Sequence, residues 1–238
     1  MPALHPRYVW PKLSPPLSVR EQAISDDWIH YWHQILPKRY GSIEKFNHAY
    51  PLKHLPDQPH FRTIEIGAGI GGHLEFEDLG RQDYHCVELR ENMSAEVRRR
   101  FPAVHVTTAS CQERMPFADG YFHRAVAVHV LEHLPDLPRA ISELHRVLRK
   151  DGILSIVTPC DPGLAYEFAR QISSARIFRK RYRIPYMWLM RREHINSPAE
   201  IISVLRSGFE EIDRTYFPLC FVPMAAANLC LGLTYRRR

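Results

Sequence analysis

Cysteine is scarce in this sequence of 238 residues, which contains five, an odd number without paired spacing. Such a set does not form the disulfide framework of a secreted domain, so we expect a reducing, cytoplasmic setting. The metal-binding patterns CxxC and HExxH are both missing from the sequence. The sequence therefore predicts no metal site.

Long hydrophobic runs are missing as well. The longest stretch without a charged residue, 216–235, contains Pro218, Pro223 and Asn228. A membrane-spanning helix would have to tolerate both prolines, so we expect paired strands there and no transmembrane segment. The first residues also lack the charged and apolar regions of a signal peptide.

Glycine, in contrast, is concentrated after one β-branched run. Residues 63–66 are typical of a buried strand, and glycines follow at positions 67, 69, 71 and 72. Glycine permits a tight turn and lets a ligand approach bare backbone. We expect a short helix over 73–79, whose free N–H groups would face a negative ligand group. The strand, turn and helix together predict the nucleotide-binding corner of a doubly wound sheet.

Two classes of ligand use such a corner. The spacing Gly67-x-Gly69-x-x-Gly72 fits a dinucleotide, while Glu65-x-Gly67-x-Gly69-x-Gly71 resembles motif I of class I S-adenosylmethionine (SAM) methyltransferases. The carboxylate of Glu65 favours SAM, because an acid near the strand end suits a ligand with an ammonium group better than a pyrophosphate.

A second strand is expected from Tyr84 to Leu89, and it carries Glu88 near its carboxyl end. Glu88 follows the first glycine by about 20 residues, the distance at which an acid binds the ribose hydroxyls of a nucleotide. The alternative is a solvated acid at a strand end. Further strands at 103–107, 125–130 and 152–158 alternate with helices at 91–100 and 138–148, which predicts a parallel sheet with right-handed crossovers.

Five motifs occur in a characteristic order and resemble those of class I SAM methyltransferases of the ubiquinone/menaquinone-biosynthesis type (methyltransferase type 11). The motifs are Glu65–Gly71, Val87-Glu88, Met115–Phe122, Val130–Pro135 and Leu144–Gly152. The resemblance covers about residues 61–160, and residues 194–209 resemble the penultimate helix and strand of the same enzymes. A similarity to methyltransferases of bacterial polysaccharide pathways is weaker.

The resemblance implies an α/β fold: a Rossmann-like, doubly wound, mostly parallel seven-stranded sheet with helices on both faces. It also implies a division into an N-terminal helical extension (1–60) and a SAM-dependent methyltransferase domain (61–238). The domain would contain a cap insertion (161–196) before its last two strands. The extension begins with a capping box at Ser18 and Glu21 and carries an aromatic stripe through Trp28, Trp32 and Ile35. That stripe either packs against the main domain or forms a lid over a substrate cleft.

SAM is the cofactor that the resemblance implies. Its predicted binding residues are Glu65, Gly67, Ala68, Gly69, Gly71, Glu88, Leu89, Cys111, Gln112 and His129. Relatives often place an aspartate after the third strand, against the adenine amino group, where this sequence has Ser110 and Cys111. Adenine recognition is therefore expected to depend on backbone groups and on Gln112.

Methyl transfer to a hydroxyl needs a base, and candidates should follow the fourth and fifth strands, where open α/β sheets bind their ligands. The candidates at these positions are His129, Glu132, His133, Asp161 and His194. We predict His133 first and His194 second as the base, while His129 contacts the cofactor through its backbone. No Asn-Pro-Pro-Tyr-type stretch follows the fourth strand, so methylation of adenine or glutamine amines is disfavoured and an oxygen acceptor is favoured.

The cap insertion is rich in arginine and aromatic residues and poor in acids. It predicts either a solvated helical face or a surface between Arg176 and Arg192 that binds an anionic acceptor. We expect a small-molecule, sugar or lipid-linked acceptor, and peripheral membrane contact is compatible with this composition. Nucleic acid is disfavoured because no binding motif is present. The sequence does not indicate the oligomeric state.

Two other functions fit parts of the sequence. An NAD-linked oxidoreductase fits the glycine spacing but not the sixty residues before it, Glu65 or the Leu-Glu-His-Leu stretch at 131–134. A non-catalytic SAM-binding module fits the missing adenine-side aspartate. The retained Glu65, glycines and Glu88 argue against such a module.

Overall fold

A seven-stranded sheet forms the centre of the molecule, in the order β3-β2-β1-β4-β5-β7-β6. The computed structural model describes residues 8–238, apart from the side chains of residues 32–39. The first five strands are parallel, and β7 is antiparallel to both β5 and β6. The strands are β1 (Phe61–Ile66), β2 (Gln82–Glu88), β3 (His105–Thr108), β4 (Phe122–Val128), β5 (Leu148–Pro159), β6 (Phe209–Phe217) and β7 (Cys230–Arg237). The predicted fold class is confirmed.

Eight α-helices accompany the sheet in the described chain. They are α1 (Val19–Arg39), α2 (Gly41–Ala49), α3 (Glu91–Arg100), α4 (Leu137–Val147), α5 (Leu164–Ile172), α6 (Ser174–Tyr182), α7 (Tyr186–Glu193) and α8 (Pro198–Leu205). The capping box of α8 forms, with Ser197 and Glu200 exchanging hydrogen bonds as its sequence pattern predicts. No helix in the described part of the chain is long and apolar enough to cross a membrane.

The helix expected over 73–79 is wrong, because only a 3₁₀ turn, His73–Phe76, follows the glycines. The chain becomes extended at Glu77, whose buried carboxylate lies 2.8 Å from Nη1 of Arg124 and 2.7 Å from Nε2 of His73. Arg124 is fully buried in β4, and a buried charge needs a partner. Burial opposes the charge of Glu77, but these partners outweigh it and lower its pKa to about 2.

The N-terminal helices dock on two parts of the molecule. Tyr50, just after α2, lies against Gly232 of β7, where a Cβ atom would come within 2.5 Å of the tyrosine ring. Its hydroxyl accepts a 3.1 Å hydrogen bond from Thr234. Trp28 of α1 packs against Phe178 and Tyr186 of the cap, with ring centroids 5.1 and 5.7 Å apart.

The stripe of α1 therefore packs on the cap rather than on the main domain, as far as its side chains are described. Its members Trp32 and Ile35 lie outside the described side chains. The three helices α5, α6 and α7 all fall within the predicted insertion 161–196, and β1 begins at Phe61.

Candidate functional site

A cavity of about 560 Å³ lies at the carboxyl ends of β1, β2 and β4, under the cap and the N-terminal helices. One side is lined by the glycine turn and the ends of β2 and β3, the other by α1, α2, α5 and α7. In open parallel sheets this edge is where ligands bind. The position agrees with the edge at which the sequence predicts the cofactor.

The glycine turn requires glycine for two separate reasons. Gly67 and Gly69 both line the cavity and have positive φ angles of 64° and 56°, which side chains disfavour. A Cβ atom at Gly67 would also come within 2.4 Å of Val130. The turn is thus held against the chain just after β4, and its backbone is exposed to a ligand in the cavity.

Glu88 joins the glycine turn to the end of β2. Its carboxylate accepts hydrogen bonds from the backbone N–H of Gly69 and of Arg90, both at 2.9 Å. Each carboxylate oxygen keeps a further lone pair, and the residue lines the cavity. Glu88 is therefore positioned to accept hydrogen bonds from two ribose hydroxyls.

Apolar groups line the adjoining part of the cavity. Leu89 lines it although two thirds of its surface is exposed, and Met93 lies nearby in the same lining. Burial raises the pKa of the Cys111 thiol to about 12, so the thiol is neutral. Exposed apolar surface beside a hydroxyl-binding carboxylate fits a nucleoside such as that of SAM.

Gln112 lines the cavity as predicted, but its side-chain oxygen already accepts a 2.7 Å hydrogen bond from the backbone of Asp136. That oxygen keeps one further lone pair, and the amide keeps its N–H groups. The adenine amino group is itself a donor, so Gln112 still offers it an acceptor in place of the missing aspartate.

Three predicted cofactor contacts do not belong to the cavity lining of the described chain, namely Glu65, Ala68 and Gly71. Glu65 is buried and accepts a 3.0 Å hydrogen bond from the hydroxyl of Tyr84. Ala68 is buried in a cluster with residues of β2 and α3. Gly71 serves packing, because a Cβ atom there would lie 2.8 Å from Phe101. These positions therefore support the turn without touching the cavity.

The burial of Glu65 predicts a pH dependence of stability. Burial raises its pKa from 4.5 to about 8, so the folded protein binds a proton that the unfolded chain has released. The contribution of Glu65 to the free energy of unfolding is fully present below about pH 4.5. As the pH rises from there towards 8, the free energy of unfolding falls by up to about 1.4 kcal/mol per pH unit. We expect Glu65→Gln to unfold at a higher temperature than wild type at pH 8 and to differ little at pH 4.5.

Thermal melts of both proteins across this range measure the effect. The conservative Glu75→Gln substitution, at an exposed acid, is a matched control that should leave the pH dependence unchanged. A wild-type curve parallel to that of Glu65→Gln would show that Glu65 is ionised in the folded protein.

His129 and Glu132 form an ion pair after β4, with Nδ1 and Oε1 3.1 Å apart. Burial opposes both charges, but the hydrogen bonds to Glu132 and Cys230 raise the pKa of His129 to about 10. The bond from His129 and the nearby histidines lower the pKa of Glu132 to about 2. The pairing with Glu132 therefore favours the protonated form of His129, which makes it a poor candidate for the base.

His133 and His194, the two predicted bases, meet in this cavity with ring centroids 5.3 Å apart. Nδ1 of His133 lies 2.6 Å from the carbonyl oxygen of Glu193. A carbonyl can only accept, so Nδ1 carries the proton and Nε2 is the free acceptor. Burial lowers the pKa of His133, which disfavours its protonated form.

His194 has an acidic partner instead. Its Nδ1 lies 2.8 Å from Oδ2 of Asp161, which also accepts a 3.0 Å hydrogen bond from Arg170. Burial opposes the charge of Asp161, but His194 and Arg170 together lower its pKa. The carboxylate therefore holds the Nδ1 proton, leaves the Nε2 lone pair as acceptor, and stabilises the imidazolium that forms when His194 takes up a proton.

The basic residues of the cap lie elsewhere. Arg176, Arg179, Lys180 and Arg183 are exposed, and within the stretch 170–192 of the described chain Arg170 is the one cation that lines the cavity. Its charge is already paired with Asp161 and Glu167. The geometry does not bring the predicted anion-binding surface, Arg176 to Arg192, to the cavity.

Several cavity residues had no sequence signal strong enough to single them out. They come from the N-terminal helices and from the cap: Trp28, Ile29, Tyr40, Ile43, Asn47, Tyr166, Tyr186, Leu189 and Met190. The aromatic stripe of α1 was a partial signal. The other contacts depend on how the cap closes over the sheet, which short-range patterns do not report.

Comparisons with known proteins agree with this geometry. Residues 64–156 match the family model of a methyltransferase domain. Over 97 residues the chain is 34% identical to a probable SAM-dependent methyltransferase of Mycobacterium tuberculosis, covering 41% of this chain and 35% of that protein. Over 107 residues it is 28% identical to malonyl-[acyl-carrier protein] O-methyltransferase of Enterobacter lignolyticus, covering 45% and 42%. A SAM-dependent methyltransferase structure from Thermotoga maritima superposes with a TM-score of 0.63 at 17% identity, covering 91% and 99%.

Residues 64–156 thus contain a methyltransferase domain, and SAM is its cofactor, as predicted. The family match covers less than half of the chain, and the chain spans only about a third of the length of the mycobacterial relative.

Proposed function

We propose that this protein transfers a methyl group from SAM to an oxygen atom of a small-molecule or lipid-linked acceptor, with His194 as the base. The observation that carries the proposal is the His194–Asp161 pair, of which His194 lines the same cavity as Glu88 and the glycine turn. A cofactor site and a base oriented by a carboxylate are the two parts that hydroxyl methylation needs.

Bound SAM supplies an electrophilic methyl carbon on a sulfonium. When the acceptor oxygen takes this methyl group, Nε2 of His194 would take the proton of the acceptor hydroxyl. Asp161 stabilises the resulting imidazolium. Alignment of the two reactants by the cavity walls lowers the activation free energy further, by up to about 7–11 kcal/mol for well-oriented partners.

We call the part of the cavity on the side of α1, α2, α5 and α7 the acceptor half. Its walls include Trp28, Ile43, Leu189, Met190 and Leu229, which favours an acceptor with an apolar portion. A saccharide or acyl group attached to a lipid carries both an apolar portion and a hydroxyl or carboxyl oxygen. The relative from Enterobacter lignolyticus, named as an O-methyltransferase, supports oxygen as the acceptor atom. A negative charge on the acceptor stays a prediction from the sequence.

The domain division proposed from the sequence is kept. Residues 1–60 and the insertion 161–196 together would form the acceptor-binding side, and 61–238 the catalytic domain. A cytoplasmic location also stays a prediction, supported by five cysteines without a disulfide.

Transfer of a deuterated methyl group tests the proposal. The protein is incubated with SAM labelled on the methyl group and with lipid and polar fractions of the cells it comes from, and products are read by mass spectrometry. We expect one labelled product with the label on oxygen, formed at a strongly reduced rate by His194→Ala. A label on nitrogen or carbon, or no labelled product from any fraction, would contradict it.

A further inference from the structure

Helix α5 carries an exposed apolar face outside the cavity. Leu164, Phe168 and Ile172 recur at every fourth residue of α5 and are exposed, Leu164 at 80%. This spacing places them on one face of the helix. Tyr166, Ala169 and Arg170 of the same helix line the cavity, so α5 has one face on the cavity and an apolar face on solvent.

The loop between β6 and β7 adds to this surface. Leu219, Phe221 and Met224 are exposed there, Phe221 at 79%. The loop is close to α5, because a Cβ atom at Gly163 would lie 2.9 Å from the carbonyl oxygen of Ala225, and α5 contacts the turn Ala225–Ala227. We name the six exposed residues the apolar rim: Leu164, Phe168, Ile172, Leu219, Phe221 and Met224.

Hydrogen bonds of one buried side chain hold the conformation of the loop between β6 and β7. The side chain of Asn228 is buried, accepts a hydrogen bond from the N–H of Leu219 at 2.7 Å, and donates to the carbonyls of Val222 and Met224 at 2.8 and 3.0 Å. These three bonds tie the loop from both sides. The apolar side chains of the loop are thus held towards solvent by a buried amide.

Positive charge adjoins the apolar rim. The helix after α5 and the residue that follows it carry Arg176, Arg179, Lys180 and Arg183, all exposed. None of the four forms an ion pair with a carboxylate of the described chain, and none lines the cavity. We name them the basic helix. Apolar side chains beside unpaired cations match an anionic lipid surface, which offers acyl chains and negative headgroups together.

We propose that the apolar rim and the basic helix dock this protein on an anionic membrane surface. The proposal rests on the proposed function, because the same helix α5 forms the cavity wall, so docking places the acceptor half of the cavity beside the lipid. Contiguous exposed apolar patches are otherwise rare on monomeric proteins.

Vesicle sedimentation tests this proposal without any methyl transfer. Wild-type protein is mixed with vesicles of phosphatidylcholine alone or with an equal part of phosphatidylglycerol, at low and at physiological salt. We expect binding to the anionic vesicles, weakened by salt because the screening length falls to about 8 Å. Two double variants, Phe168→Ser/Phe221→Ser and Arg179→Glu/Arg183→Glu, should each weaken binding about tenfold or more.

The matched control is Arg149→Glu/Lys150→Glu, which makes the same charge change at exposed residues and should bind like wild type. These two residues lie at the amino end of β5, whereas the loop of the apolar rim lies near its carboxyl end. Melting temperature and SAM affinity should be unchanged in all variants, so weaker binding reports the surface. The proposal is overturned if wild type ignores anionic vesicles, if the control variant weakens binding as much, or if the apolar variant instead converts a dimer to a monomer. Intact SAM binding and methyl transfer in that case would leave the proposed function standing.

Discussion

Replacing His194 by alanine is expected to lower turnover by about 10²–10⁴, the usual contribution of a general base. The Nε2 atom of His194 is the acceptor that Asp161 orients through Nδ1. SAM affinity should not change, because the imidazole belongs to the acceptor half of the cavity. The measurement is steady-state turnover of the labelled acceptor, with SAM binding followed separately by calorimetry.

Two further variants separate His194 from its neighbours. Asp161→Asn should also lower turnover strongly and shift its pH profile, because an amide can donate to Nδ1 and so place the ring proton on Nε2. His133→Ala is the matched control: it removes a histidine from the same cavity, but one hydrogen-bonded to a neutral carbonyl and with its pKa lowered by burial. A larger loss in His133→Ala than in His194→Ala would reassign the base to His133.

Replacing Glu88 by alanine is expected to weaken SAM binding by one to two decades. Hydrogen bonding of the ribose to this carboxylate contributes about 1.5–3 kcal/mol in total, and a tenfold change in affinity equals about 1.4 kcal/mol. The same substitution releases the N–H groups of Gly69 and Arg90, which Glu88 holds at 2.9 Å. Part of the loss should therefore come from a looser turn.

Glu88→Gln separates these effects. It keeps one side-chain oxygen as acceptor while removing the charge, so its SAM affinity should lie between those of wild type and Glu88→Ala. Calorimetric titration gives each dissociation constant, and melting curves without ligand report the looser turn. Unchanged SAM affinity in Glu88→Ala would mean that the ribose is bound elsewhere.

Much of the fold could be predicted because it depends on local signals. The β-branched run before Gly67, the capping box at Ser197 and the alternation of strands with helices are read within short windows of sequence, and each is found in the structure. The glycine turn and Glu88 were predicted for the same reason, since their chemistry is tied to positions relative to strand ends.

The remainder depends on contacts between distant residues. The helix after the glycines ends early because Glu77 pairs with Arg124, 47 residues away. Glu65 has the right residue type for SAM, but it is buried against Tyr84 instead. Gln112 lines the cavity, but its oxygen also accepts a hydrogen bond from the backbone N–H of Asp136, 24 residues away. None of these partners is visible in the local sequence.

The acceptor side was predicted least well, since it depends on packing of the cap over α1. The two histidines were singled out by their positions after strands, and the structure brings them together. The arginines of the cap were predicted either to form a solvated face or to bind the acceptor, and exposed positions on α6 leave them on the outer surface. The composition of the cap shows how many positive charges it carries but not which way those side chains face.

The central claim is that the cavity holds SAM, and calorimetric titration of the wild-type protein tests it most directly. SAM, its demethylated product and NAD are titrated in turn under identical conditions. The account predicts saturable binding of SAM and of its product at one site per chain, and no measurable binding of NAD. Tighter binding of NAD than of SAM would contradict it.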